Sequence, residues 1–306
     1  MDNKRVLITG AAGFVGSNLC LELQKQDYEV IALDIFSKGS KRNLSGFDGK
    51  IIDGDIRDFD WKREKVDAII HEGAITDTTI KDREKMFSVN FQAFKKIIEY
   101  CKQNRTNLVY ASSASVYGRG KIPMQEEQEK DILSYYAESK LEMDIFASEN
   151  LSLFEERELK LVGLRYFNVY GPREMYKGKM ASMIYQLCLQ MKSGQKPKVF
   201  KYGEQTRDFV YIQDVINATI LALNAKKNGV YNIGSGKSSS FNKIIKELNK
   251  NLNTELNPEY INNPYSHYQN HTLADISNAQ KFLNYHPEYS IEKGIVDYIK
   301  FLEKKE

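Results

Sequence analysis

A tyrosine and a lysine four residues apart can do acid–base chemistry when they share one face of a helix, and "SYYAESK" (residues 134–140) sets Tyr136 and Lys140 at that spacing. A nearby ammonium stabilises a phenolate and lowers the phenol's pKa from about 10 toward the working pH. Such a tyrosine can take a proton from an alcohol or return one to a ketone oxygen. Spacing alone does not single out this pair, because the chain has three Tyr-x-x-x-Lys matches. Between Tyr117 and Lys121 lie Gly118 and Gly120, which disfavour helix. Tyr289 and Lys293 follow "HP" at the approach to a C-terminal amphipathic helix, where packing is the simpler role. "YAESKLEMDIFASE" alone continues as good helix formers with the spaced apolar set Leu141, Met143, Ile145 and Phe146.

A second constellation is "GAAGFVG", with Gly10, Gly13 and Gly16 directly after the strand-like "RVLIT" and before an amphipathic stretch. Glycine there lets backbone approach a pyrophosphate, and the helix start offers free N–H groups and partial positive charge. Asp34 ends the next strand, 18 residues beyond Gly16, where its carboxylate can accept from both ribose hydroxyls. That favours NAD. Lys38, Lys41 and Arg42 follow closely and could hold a 2'-phosphate, so NADP stays open. Asp55 and Ile56, in "DGDIRD", end a further strand at a place suited to adenine. Ser113, in "YASSASVYG", ends a strand at the carboxyl edge of the sheet and could hydrogen-bond a reacting oxygen.

The elements that must position these groups alternate. "RVLIT" (5–9), "EVIALD" (29–34), "AIIHE" (68–72) and "LVYASS" (108–113) have the character of buried parallel strands, with helical spacing in "GFVGSNLCLELQKQ" and "MFSVNFQAFKKIIEYCKQ" between them. Repeated βα units predict an α/β fold with a doubly wound parallel sheet of Rossmann type. After "LKLVGLRYFNVYGPRE" the rhythm changes. We expect a dinucleotide-binding domain over 1–174, to which 207–226 returns, and a smaller, partly discontinuous α/β domain over 175–306 for the substrate. With 42% hydrophobic residues the chain can build a substantial core. A net charge of +3, from 44 basic and 41 acidic residues spread along the chain, gives no footprint for nucleic acid or membrane. Cys20, Cys101 and Cys188 form no C-x-x-C pair, and the four histidines form no metal constellation. With no basic n-region and long apolar run at its start, the sequence reads as that of a cytoplasmic protein.

Gly10, Gly13 and Gly16, then Ser113, then Tyr136 and Lys140 resemble the extended short-chain dehydrogenase/reductase family, in its nucleotide-sugar epimerase and dehydratase branch. "LRYFNVYGPRE", "RDFVYIQDV" and "YNIGSG" recur in that branch at the same relative places, so the resemblance spans essentially the whole chain. "HEGA" (71–74), "YASSA" (110–114) and above all "GPREMYKGKMAS" (171–182) are similar to its manno-heptose 6-epimerases. The resemblance implies that Ser113, Tyr136 and Lys140 are catalytic, with Lys140 also reaching the nicotinamide ribose. It implies Lys177 as a second acid/base for a sugar turned the other way round. It adds Phe14, Val15, Gly73, Ala74 and Asn90 to the cofactor site, and Asn168, Ser182, Arg207 and Tyr268 to the cleft for an ADP- or GDP-heptose. Arg207 also suits a diphosphate on chemical grounds, since a guanidinium presents a planar fork to phosphate oxygens. The family implies a homodimer through a four-helix bundle made by the helices near 79–103 and 135–150. His267, in "HYQ", stands where the pattern implies arginine, and a neutral imidazole makes no bidentate phosphate contact. The alternative is a GDP-heptose 4-dehydrogenase that stops at a keto-sugar.

Overall fold

The computed structural model describes residues 4–264 and 268–304. The described residues form twelve strands: β1 (Arg5–Thr9), β2 (Glu29–Asp34), β3 (Lys50–Asp53), β4 (Ala68–His71), β5 (Asn107–Ser113), β6 (Leu161–Tyr166), β7 (Asn168–Tyr170), β8 (Lys198–Phe200), β9 (Thr206–Tyr211), β10 (Gly229–Ile233), β11 (Ser238–Ser240) and β12 (Glu259–Ile261). The helices are α1 (Phe14–Lys25), α2 (Arg83–Phe87), α3 (Ala93–Asn104), α4 (Tyr135–Glu156), α5 (Met183–Lys192), α6 (Ile212–Ala222), α7 (Phe241–Leu252), α8 (Ser277–Leu283) and α9 (Ile291–Glu303).

Seven strands make one parallel sheet in the order β10-β6-β5-β4-β1-β2-β3. The order reverses between β1 and β4, and in such sheets ligands bind outside the carboxyl ends of the strands at that crevice. Both faces are covered, because successive strand residues point to opposite sides. Val6 and Ile8 enter one apolar cluster with Leu19 and Leu23 of α1. Leu7, Ile31 and Ile69 enter the other, with Ile97 of α3 and Met143 of α4. Ile69 is fully buried, so truncating it to alanine would cost about 2–5 kcal/mol.

The doubly wound sheet is the predicted one. The seventh strand is β10, just beyond the 207–226 segment expected to return to the dinucleotide-binding domain, and α6, within that segment, packs against α1. One detail differs from the sequence-based expectation. The single helix expected across "MFSVNFQAFKKIIEYCKQ" is broken by a π-helical turn at 88–92. Small sheets β11-β9-β7 and β12-β8 form the remaining layer. Among the described residues no helix is long and apolar enough to cross a membrane.

Candidate active site

The glycine loop leaves β1 at the switch point. Gly10 turns with φ +64°, and a Cβ there would lie 2.7 Å from the backbone of Gly73. A Cβ on Gly16 would lie 2.2 Å from the Gly10 carbonyl, so only glycine lets α1 start this close to the loop. Gly13 caps α1 without any side-chain hydrogen bond. The first turn, with Phe14 buried and Val15 half-buried, therefore meets its surroundings through backbone. Asp34, at the end of β2, accepts from the Ala12 N–H at 2.9 Å through Oδ2 and from the Phe36 N–H at 2.7 Å through Oδ1. Each oxygen keeps a lone pair for a ribose hydroxyl. Burial raises the pKa of this carboxyl, and the two backbone donors oppose that. An uncapped helix start beside a fixed carboxylate fits a dinucleotide.

Three residues expected at the cofactor are committed within the protein. Asp55 accepts from Arg57 Nε at 3.0 Å, which lowers its pKa, while Ile56 beside it is buried. Gly73 donates its N–H to Thr9 Oγ1 at 3.0 Å and packs on Gly10, with Ala74 half-buried next in sequence. Asn90 is fully buried in the π-helical turn; it accepts from the Ile75 N–H at 2.8 Å and donates to Ser139 at 3.0 Å. It braces the chain at Ile75 against α4.

Ser134 starts α4 by accepting from the Ala137 N–H at 3.2 Å. That fixes the helix register, so Tyr136 and Lys140 share the face toward β5. The Tyr136 phenol lies beside Ser113, at the end of β5, near enough for that hydroxyl to lower its pKa. Lys140 is 2% exposed, and its ammonium donates to the Ala111 carbonyl at 2.6 Å. It lies 6.0 Å from the centroid of the Tyr136 ring. Burial lowers Lys140 to about 8. The expected lowering of the Tyr136 pKa is not found: burial, and then the charge of Glu72, raise it against the Ser113 hydroxyl. Desolvation of the phenolate outweighs the ammonium at this distance.

The other two Tyr-x-x-x-Lys pairs have structural roles. Tyr117 donates to Asn232 at 2.6 Å in the core. Lys293 lies over the ring of Tyr289 at 3.9 Å, and that ring packs against Tyr211.

Lys177 stands in a 3-10 segment at 175–180, and its ammonium lies 5.3 Å from the Phe14 ring centroid at the start of α1. Burial lowers its pKa, with Glu174 opposing. Ser182, by contrast, caps α5 and donates to Glu174 at 2.8 Å, so it fixes the segment that carries Lys177. Arg207 is 8% exposed on β9; it donates to the Thr206 and Asn270 carbonyls at 2.9 and 3.1 Å and lies 4.9 Å over the Tyr268 ring. Asn168 pairs with Phe209, two residues from Arg207, so both side chains share one face of the small sheet. Asn168 donates to the Asp208 carbonyl and to Thr272, each at 3.1 Å. His267 lies outside the described residues.

Other residues in the site carry weak sequence signals. Glu72 accepts from the Tyr166 hydroxyl at 2.8 Å beside the Tyr136 group. The Tyr176 hydroxyl lies beside the helix start, 3.4 Å from where a Cβ on Gly13 would sit, and Asn43 donates to the Ala12 carbonyl at 3.1 Å. Glu72 was visible as an acid in the apolar context of "IIHEGA", and Tyr176 as the neighbour of Lys177.

A model of the NAD dependent epimerase/dehydratase family matches residues 6–234. The chain is 35% identical to the ADP-L-glycero-D-manno-heptose-6-epimerase of Brachyspira hyodysenteriae, over 98% of both chains. Among solved structures it is similar to the Helicobacter pylori ADP-L-glycero-D-manno-heptose-6-epimerase, with a TM-score of 0.92 and 40% identity over 99% of this chain and 97% of that one. It is also similar to the UDP-glucuronic acid 4-epimerase of Bacillus cereus in complex with UDP-glucuronic acid and NAD, with a TM-score of 0.86 and 28% identity over 99% of this chain and 100% of that one.

Proposed function

The chain belongs to the NAD dependent epimerase/dehydratase family, and on that premise we propose that it inverts C6 of an ADP-activated glycero-manno-heptose through a keto-sugar. The observation that carries this reading is the placing of two acid/base groups around one glycine loop. Tyr136, with Ser113 and Lys140, adjoins the 71–74 turn that packs on Gly10, while Lys177 reaches Phe14 from another segment. The α1 start and Asp34 would hold NAD, which would supply the hydride acceptor for oxidation of the sugar and the donor for its return. The protein moves the protons. Ser113 holds the reacting sugar oxygen, and Tyr136 exchanges a proton with it. Lys140 keeps a positive charge near that oxygen, which favours the ionised form of the phenol. Lys177 serves the same oxygen when the sugar has turned.

Arg207 and Tyr268 are suited to hold the diphosphate, with Asn168 on the same sheet face. Asp34 would repel a 2'-phosphate, which supports NAD over NADP. A GDP-heptose 4-dehydrogenase requires a single acid/base and is not favoured, since heptose 6-epimerases match over nearly the full length. A division into a dinucleotide domain and a substrate domain near residue 174 is also part of the proposal. A homodimer through the helices 79–103 and 135–150 is part of the proposal. Half-buried Phe87, Phe91 and Phe146 stack edge to face there, beside exposed Ile145. Three free, buried cysteines fit a reducing, cytoplasmic setting.

The test is incubation with ADP- and GDP-manno-heptose followed by NMR. A C6 stereoisomer from the ADP sugar is expected; an accumulating ketone from the GDP sugar would transfer the reading to the dehydrogenase.

A further inference from the structure

A lysine buried as deeply as Lys140 stays charged only beside an anion. Two carboxylates act on it, Glu72 and Asp144. Asp144 is already engaged: it accepts from Arg165 Nε at 2.8 Å, Ser112 at 2.9 Å and Tyr110 at 3.0 Å. Its charge is answered by the guanidinium. Glu72 is placed differently. His71 pairs with Tyr110 across β4 and β5, so Glu72 takes the next step of that register, level with Ala111, whose carbonyl holds the Lys140 ammonium. Neighbouring strands run about 4.8 Å apart. From β6, Tyr166, the register partner of Ser113, donates to Glu72 Oε1 at 2.8 Å, and its hydroxyl meets Thr219 Oγ1 of α6 at 2.9 Å. The carboxyl ends of three adjacent strands thus bring Glu72, Ser113 and Tyr166 to the end of the sheet where the Ala111 carbonyl holds the Lys140 ammonium.

We propose that Glu72 is the counter-charge that keeps Lys140 protonated in its buried setting, held there by Tyr166, and that it is a positioning residue for the Tyr136–Lys140 pair. The proposal rests on the reading of Lys140 as part of the acid–base site and adds to it the group that maintains its charge. The titratable groups acting on the pair are His71, Tyr136, Tyr166 and the Asp144–Arg165 ion pair. His71 is neutral near pH 7, because burial and Lys140 hold it near 3. Burial also brings Glu72 up to about 7 and Lys140 down to about 8. Each charge opposes that shift in the other: Lys140 lowers Glu72, and Glu72 raises Lys140.

Glu72→Gln keeps an acceptor for Tyr166 and removes the charge. Lysine labelled with 13C at Cε, with the Lys140 signal assigned by its loss in Lys140→Arg, reads the protonation of Lys140 directly. The expected result is a midpoint lower by ~1 pH unit, a tenfold change in the protonation equilibrium, with the alkaline limb of turnover shifted the same way. Glu72→Asp should recover part of the shift. Tyr166→Phe, which frees the carboxylate without removing it, should give a smaller shift in the same direction and serves if the glutamine variant does not fold. An unmoved Lys140 midpoint in the folded variants overturns the proposal. Full turnover by Lys140→Met would instead remove the catalytic reading of Lys140, and the NMR midpoint would still decide the role of Glu72.

Discussion

The Lys140 ammonium donates to the carbonyl of Ala111 at 2.6 Å, which ties the second turn of α4 to the strand that ends in Ser113. The tie sets the height of Tyr136 relative to Ser113. On the proposed reading the Tyr136 hydroxyl is needed for proton exchange more than for dinucleotide binding. Tyr136→Phe should lower turnover by about 10²–10⁴-fold and leave NAD affinity nearly unchanged. Fluorescence titration of NAD alongside steady-state rates checks this, and near wild-type kcat would remove Tyr136 from its role.

His71 gives the fold an acid-sensitive point. It is 1% exposed, its Nδ1 bonds to Thr9 Oγ1 at 2.7 Å, and its Nε2 is buried without a hydrogen-bond partner. Its pKa falls from 6.5 to about 3 on folding. Between these values the unfolded chain binds a proton that the folded chain does not. The stabilisation is complete above pH 6.5 and is lost as pH falls toward 3, by about 3 kcal/mol at pH 4.5. Urea midpoints at pH 7 and 4.5 should differ less for His71→Gln than for the wild type; equal differences would show that His71 is not the group.

The sheet and the glycine loop were legible because their signals are local. "RVLIT" and "EVIALD" coincide with β1 and β2, and the glycines fall where a Cβ would strike the Gly10 carbonyl or Gly73. Ser113 and Tyr136 were legible through spacing and resemblance. The direction of the Tyr136 pKa was not, because it depends on burial and on Glu72, which arrives from another strand. For the same reason the sequence could not show that Ser182 is engaged by Glu174 or that Asn90 braces Ile75. Those partners come together only in the folded chain.

Asp34 should set cofactor preference. Both its oxygens are oriented by backbone donors, so shortening the side chain removes the carboxylate from the ribose and the repulsion of a 2'-phosphate together. Asp34→Ser should weaken NAD by roughly tenfold and narrow its advantage over NADP. Parallel titrations of the two dinucleotides measure the ratio, and an unchanged ratio would count against Asp34.

The half-buried Phe87, Phe91 and Phe146 and the exposed Ile145 should lie in a dimer interface. Sedimentation at micromolar concentration should give a dimer, and Ile145→Glu should shift it toward monomer. A wild-type protein that sediments as monomer would contradict this.

Lys177 tests the central claim most directly. On the proposed reading, inversion requires that the keto-sugar be reduced from its other face, and Lys177, over Phe14, is the proposed second acid/base. The measurement is pre-steady-state formation of reduced cofactor together with product stereochemistry at C6, for the wild type and Lys177→Met. The account predicts inversion by the wild type and, for the variant, retained cofactor reduction with inversion lowered by at least about 10²-fold. Undiminished inversion by Lys177→Met, or a wild type that yields only ketone, would contradict it.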